Sequence, residues 1–248
     1  MEATSGAPPD PSDDVAIDAV AAPARQRWRL ILARGADAPA LAGRDLADAW
    51  EVAMEASGLP FFRPIGRARG RVAFGAPIPA TLAAEHELAD IVLNETWPVW
   101  RVREALEREL PTGWLLLDVH DVWLGGPPLA GQVAAADYRI DLGETVAPAV
   151  VAPAVAAAAR TLLAAEALPR ERAKAGSVVR YDLRPLLIDV HVSQPGPPLQ
   201  IRARTRFHPV LGTGRPEEVV AALGEAAGCA LVIGSMVRER LVLADELD

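Results

Sequence analysis

Apolar residues recur along this chain with two periods, and the switches between them predict the order of elements. Trp28–Ala33 is a short apolar run that suits a first strand. After Gly43 and Arg44, the residues Leu46, Trp50, Ala53 and Met54 recur at helical spacing, and Gly58 and Pro60 end that helix. Arg71–Phe74 reads as a second strand and Leu88–Leu93 as a third. Thr96 suits an N-cap with Pro98 in the first turn, and Val99, Val102, Leu106 and Leu110 mark a second amphipathic helix. Glu104 and Arg108, four apart, support it; Pro111 and Gly113 stop it. Trp114–Trp123 follows as a long strand. The order is β-α-β-β-α-β.

Gly125-Gly126-Pro127-Pro128 breaks the pattern, and the same order then recurs. Tyr138, Ile140 and Leu142 alternate with Asp137, Arg139 and Asp141, as in a half-buried strand. Pro153–Ala167 is an Ala-rich helix, Leu186–Ser193 and Gln200–Phe207 are strands, Pro216–Ala227 is a helix and Val237–Leu243 is a closing strand. The β-α-β-β-α-β order is that of ferredoxin-like domains. The expected fold is therefore α+β: two tandem ferredoxin-like domains, each an antiparallel sheet with helices on one face. Their limits are 27–124 and 137–248, with a disordered tail over 1–26 and a linker over 125–136.

Composition narrows the classes. Of 248 residues, 51% are hydrophobic and 23% charged, which is ordinary for a globular protein. The net charge of −8 disfavours indiscriminate binding to nucleic acid or anionic lipid, without excluding a local basic patch. Cys229 is the single cysteine, so neither an intramolecular disulfide nor a Cys-based metal centre can form. The tail has no basic start followed by an apolar run, and the apolar stretch Thr145–Ala159 is too short for a bilayer. These features predict a cytoplasmic protein with no membrane contact.

Four groups of residues carry candidate chemistry. On the strand Gln200–Phe207, Arg202, Arg204 and Arg206 share one face, where three guanidinium groups could clamp phosphates. A solvated row paired with acids such as Asp189 across the hairpin is the commoner explanation of such a strand. Arg63, Arg67, Arg69 and Arg71 form a basic loop beside Phe61 and Phe62, a combination that suits single-stranded nucleic acid or simply a solubilising loop. Gly212, Thr213, Gly214 and Arg215 precede the last helix, where free N–H groups could hold an anion, although a tight helix start also accounts for them. Asp118 with His120 and Asp189 with His191 could bind metal, but a closed site needs more converging ligands. The expectation is no metal and no cofactor.

Several stretches resemble the radical-SAM-linked protein family, found as a partner of, or a C-terminal extension to, radical SAM enzymes. They are Ser57-Gly58-Leu59-Pro60, Glu87-Leu88-Ala89-Asp90-Ile91, Leu106 to Gly113, Ala136-Asp137-Tyr138-Arg139, Tyr181-Asp182-Leu183-Arg184-Pro185 and Gly214-Arg215-Pro216-Glu217-Glu218-Val219. Where the family carries Ser-His-Leu-Asp, this chain has Ala42-Gly43-Arg44-Asp45, so only Asp45 survives. The family's Gly-Phe-Asn-Pro-x-Pro loop is here Ile65-Gly66-Arg67-Ala68-Arg69-Gly70. The resemblance implies a radical SAM protein supplied in trans.

The sequence thus leads to a non-catalytic binding or accessory protein holding RNA or a radical SAM partner through its arginines. The alternative is an enzyme acting on a phosphorylated or nucleotide-derived small molecule in the cleft between the halves. Neither a catalytic residue nor an oligomeric state is assigned from the sequence.

Overall fold

The computed structural model describes residues 23–63, 70–143, 148–174, 177–195 and 197–247. The expected tail therefore lies outside the described residues except for its last four, and Gln26 already opens the first strand.

In the first half, β1 (Gln26–Arg34), α1 (Gly43–Ala56), β2 (Ala73–Phe74), β3 (Ala83–Leu93), α2 (Val99–Glu107) and β4 (Trp114–Val122) follow the expected order. Alternation along β1 buries Trp28, Leu30 and Leu32 on one face. Leu46, Trp50, Ala53 and Met54 of α1 and Val102 and Leu106 of α2 close over that face, with the Trp50 and Trp114 rings edge to face at 5.2 Å. Gly58 ends α1 with φ +69, a conformation that costs a residue without a Cβ little.

A short helix, α3 (Leu129–Gln132), leads into β5 (Val133–Leu142) and α4 (Pro148–Ala164). A separate hairpin follows, β6 (Pro169–Lys174) and β7 (Ser177–Asp182). Then come β8 (Leu187–Gln194), β9 (Gln200–His208), β10 (Gly212–Thr213), α5 (Pro216–Ala227) and β11 (Ile233–Leu243). The second core packs α4 and α5 against Tyr138, Ile140, Ile201 and Ala203.

The main sheet has nine strands. Along it the order is β10-β9-β5-β11-β3-β1-β4, with β2 on β3 and β8 on β9. The first half thus reads β4-β1-β3-β2 and the second β11-β5-β9-β8, the same order of fourth, first, third and second strand. The expectation of two separate sheets needs correcting. β11 runs parallel to β3 through Val237↔Ala83 and Arg238↔Ala84, which joins the halves edge to edge. The cause is the shortness of β2, which pairs only with Asp90 and Ala89 and leaves the start of β3 uncovered.

Other differences are local. Only Ala73 and Phe74 of the predicted second strand are extended, and β3 begins five residues earlier than Leu88, at Ala83, because β1 and β11 both pair there. Pro98, not Thr96, occupies the N-cap of α2. The expected linker 125–136 holds α3 and the start of β5. Polar, short β6 and β7 carried no alternation that would have revealed them.

Candidate functional site

Both cores lie on the same side of the sheet, because Glu87 alternates with Ala89 and Ile91 of one core and Arg238 pairs in register with Tyr138 of the other. The opposite face carries the charged positions, and it is there that the predicted arginine row sits. Ile201, Ala203 and Thr205 are buried, so Arg202, Arg204 and Arg206 face outward as expected.

Acids from neighbouring strands answer two of these arginines. Arg204 lies in register with Asp137 and donates to its two oxygens at 2.6 and 2.9 Å. Arg240 of β11 donates to the same carboxylate at 2.9 Å. Burial alone would raise the Asp137 carboxyl, but the hydrogen bonds from Arg204 and Arg240 outweigh it and hold the group below the usual carboxylate range. Arg202 stands in register with Arg139, a like-charge pair. Glu239, the extra residue of a bulge in β11, resolves it by pairing with Arg139 at 2.8 Å and Arg202 at 3.2 Å. Among the described residues no acid engages Arg206. The acids are thus Asp137 and Glu239; Asp189 pairs instead with His191 at 3.1 Å.

The remaining predicted residues are dispersed. Arg67 and Arg69 lie outside the described residues, and Arg71 is exposed beside β2. Asp45 is exposed in the first turn of α1. Gly212 and Thr213 pair with β9 as β10, and Gly214 donates to Arg206 O at 2.9 Å. A Cβ on Gly214 would meet Leu186 O at 2.6 Å, so close backbone approach explains this glycine. Arg215 is exposed as the N-cap of α5, whose first turn already carries Glu217 and Glu218. The two Asp-x-His pairs sit on β4 and β8, at opposite edges of the sheet and roughly 30 Å apart at ordinary strand spacing.

Sequence reasoning missed the outer rim of β4. Leu115 is 65% exposed, Leu117 41%, and Trp100 on the first turn of α2 64%. The polar groups of this edge are partly capped: Arg103 of α2 donates to Leu117 O at 3.3 Å, and Asp118 Oδ1 accepts from both Arg103 and the Val119 N–H. A longer count of exposed positions on an edge strand would have flagged Leu115 and Leu117, but nothing in the sequence says which strand is the edge.

Beyond the end of β4 lies a shallow depression of ≈ 360 Å³, lined by Arg25, Gln26, Thr96, Asp121 and Trp123 among others. Two buried side chains shape it. Gln26 donates to Asp121 Oδ2 at 2.9 Å and accepts from Trp97 N at 3.0 Å. Arg27, ion-paired with Asp90, also donates to Gly126 O and Pro127 O and so holds the turn that follows Trp123.

An α+β protein with a large, mostly antiparallel sheet, helices packed on one face and charged positions on the other, is the class so defined. The chain belongs to a family described as "Uncharacterized protein conserved in bacteria" (DUF2344), whose profile matches residues 27–218. No curated protein matches the sequence. Among solved structures, a chain of "Crystal Structure of a Cbf5-Nop10-Gar1 Complex" is similar at a TM-score of 0.46 and 8% identity, over 86% of this chain and 48% of that one. The chain thus spans about half the length of that solved chain. No helix among the described residues is long and apolar enough to cross a membrane.

Proposed function

We propose that this is a non-catalytic binding or accessory protein that docks a protein partner along the rim formed by β4 and the first turn of α2. The observation that carries this reading is the exposure of Trp100, Leu115 and Leu117 about a rim where Arg103 engages Leu117 O and Asp118 engages the Val119 N–H. Exposed large apolar side chains on a charged surface mark contact sites, and aromatic residues are enriched in protein interfaces. Capping of the edge favours side-chain packing over strand addition. The partner implied by the family resemblance is a radical SAM protein. This reading takes 27–124 and 137–248 as two ferredoxin-like units, supported by the shared strand order; that likeness of fold says nothing of function by itself.

RNA binding through the arginine row has less support, because Arg202 and Arg204 are each ion-paired with an acid. An enzyme site between the halves also has less support, since the buried Glu87, Arg238 and Arg34 fill the seam.

The test measures affinity for a radical SAM protein from the same source, with wild type and with Trp100→Ala/Leu115→Ala. Saturable binding weakened at least tenfold in the variant is the expected result. RNA binding that falls steeply between 50 and 200 mM salt and is lost in Arg202→Ala/Arg206→Ala would replace this reading with a nucleic-acid one.

A further inference from the structure

Three residues, Pro209, Val210 and Leu211, join β9 to β10, and His208 and Gly212 pair across the ends of the turn. Pro209 has no N–H, so the turn carries two backbone donors. Both go to one acceptor. Val210 N donates to His208 Nδ1 at 3.1 Å, and Leu211 N donates to the same nitrogen at 3.0 Å. Gly212 closes the turn at φ +94, a conformation open to a residue without a Cβ. A single side-chain nitrogen thus engages both N–H groups of a turn whose two apolar side chains face solvent, Val210 at 85% and Leu211 at 49% exposure.

An imidazole nitrogen accepts a hydrogen bond only while it carries no proton. Nδ1 between two N–H groups therefore fixes the neutral ring, with its proton on Nε2. A second proton would put an N–H on Nδ1 facing two other donors, and both contacts would be lost together. Imidazole is the side chain suited to make that change between about pH 5 and 8.

Phe207 packs against the second core, so alternation places His208 on the outward face with Arg206. The pairing of β10 sets only Gly212 and Thr213 beside the end of β9, and Arg215 follows them. β8 starts opposite Thr205, and the pairing of β5 ends at Ala135 opposite Arg206, preceded by Ala134 and Val133; none of these titrates. Beyond β5, Arg240 and Glu246 are paired with each other at 3.7 Å. Among the described residues no acid pairs with His208, so its polar contacts are the two N–H groups of the turn.

We infer that His208 is a pH-sensitive latch: its neutral ring holds the Pro209–Leu211 turn and the apolar tip made by Val210 and Leu211, and protonation releases them. The inference is independent of the docking reading, which rests on Trp100, Leu115 and Leu117.

The experiment is a nuclear magnetic resonance titration of the full, isotope-labelled chain from about pH 8 to 5. At the alkaline end His208 should carry its proton on Nε2 and none on Nδ1. The Val210 and Leu211 amide signals should then move together with the titration of the ring. Their hydrogen exchange, corrected for the intrinsic effect of pH, should speed up roughly fivefold or more, as loss of one ordinary hydrogen bond would produce. His208→Asn puts an oxygen that takes up no proton at the place of Nδ1, and should keep both amides protected at every pH. His208→Gln carries its polar atoms one carbon further out, and should show the fast exchange throughout. A proton on Nδ1 at the alkaline end overturns the latch, as do amide signals that ignore the titration of the ring. Equal protection in wild type and His208→Gln at neutral pH overturns it too. The wild-type titration involves no substitution, so it decides the matter whether or not a variant folds.

Discussion

Arg238 Nε donates to Glu87 Oε1 where β11 lies parallel against β3, and both side chains are sealed from solvent on the core side of the sheet. Only two residue pairs form that parallel contact, and the join between the halves also rests on this ion pair, on Arg238 donating to Pro77 O, on the Arg139–Glu85 pair and on Ala76 and Leu82 packed into the second core.

Removing one partner of a buried pair leaves a charge without compensation, at a cost of about 3–5 kcal/mol. Glu87→Ala should therefore lower the urea midpoint strongly, whereas Glu87→Leu with Arg238→Met should recover much of the loss. If Glu87→Ala costs under about 1 kcal/mol, the pair does not hold the join.

Asp137 gives the sheet an acid-sensitive contact. Its carboxyl is depressed in the folded state from an ordinary value of 3.8, so the unfolded chain takes up the proton first. The stabilisation is complete above that value and is lost as pH falls through the lower folded value. Asp137→Asn should lose about 1–2 kcal/mol near neutrality and show a flatter loss of stability below pH about 4. A variant with an acid limb identical to wild type would rule this contact out.

The three outward arginines of β9 should respond differently although they look equivalent in sequence. Arg206→Ala should change stability by less than about 0.5 kcal/mol, having no acid among the described residues. Arg204→Ala should cost about 1 kcal/mol by stripping two hydrogen bonds from Asp137. Equal effects from chemical denaturation would show that the row is not organised by its acids.

Gly214 tests the account of the loop before α5. A methyl group there would press on Leu186 O at 2.6 Å and Thr205 Cβ at 2.9 Å. Gly214→Ala should cost about 1–3 kcal/mol, as overpacking does. A neutral substitution in thermal melts would reopen the anion-cradle explanation for this glycine.

Much of the fold was legible because its elements carry strong local periods. Leu46, Trp50, Ala53 and Met54 name the buried face of α1, and Ile201, Ala203 and Thr205 separate inward from outward positions on β9. The join of β11 to β3 was not legible, since pairing between distant strands leaves no local period, and β2 gave no sign of being too short to cover β3. The site was less legible than the fold. Alternation placed Arg202, Arg204 and Arg206 outward but could not name Asp137 and Glu239 as their partners. Trp123 and Asp121 read as ordinary strand positions; only the end of β4 brought them beside Arg25 and Gln26.

Sharing β3 between β1, β2 and β11 also has a kinetic side. Glu87 and Arg238 are separated by 151 residues, and their contact forms only after that whole intervening length is drawn into a loop. Contacts of such long range slow folding. Until β11 arrives, the start of β3 is an unprotected edge able to recruit another chain. Burial already pushes the Glu87 carboxyl at that edge up, so a strand offering no cation in Arg238's place would bury it without its ion-pair partner, which disfavours the wrong pairing.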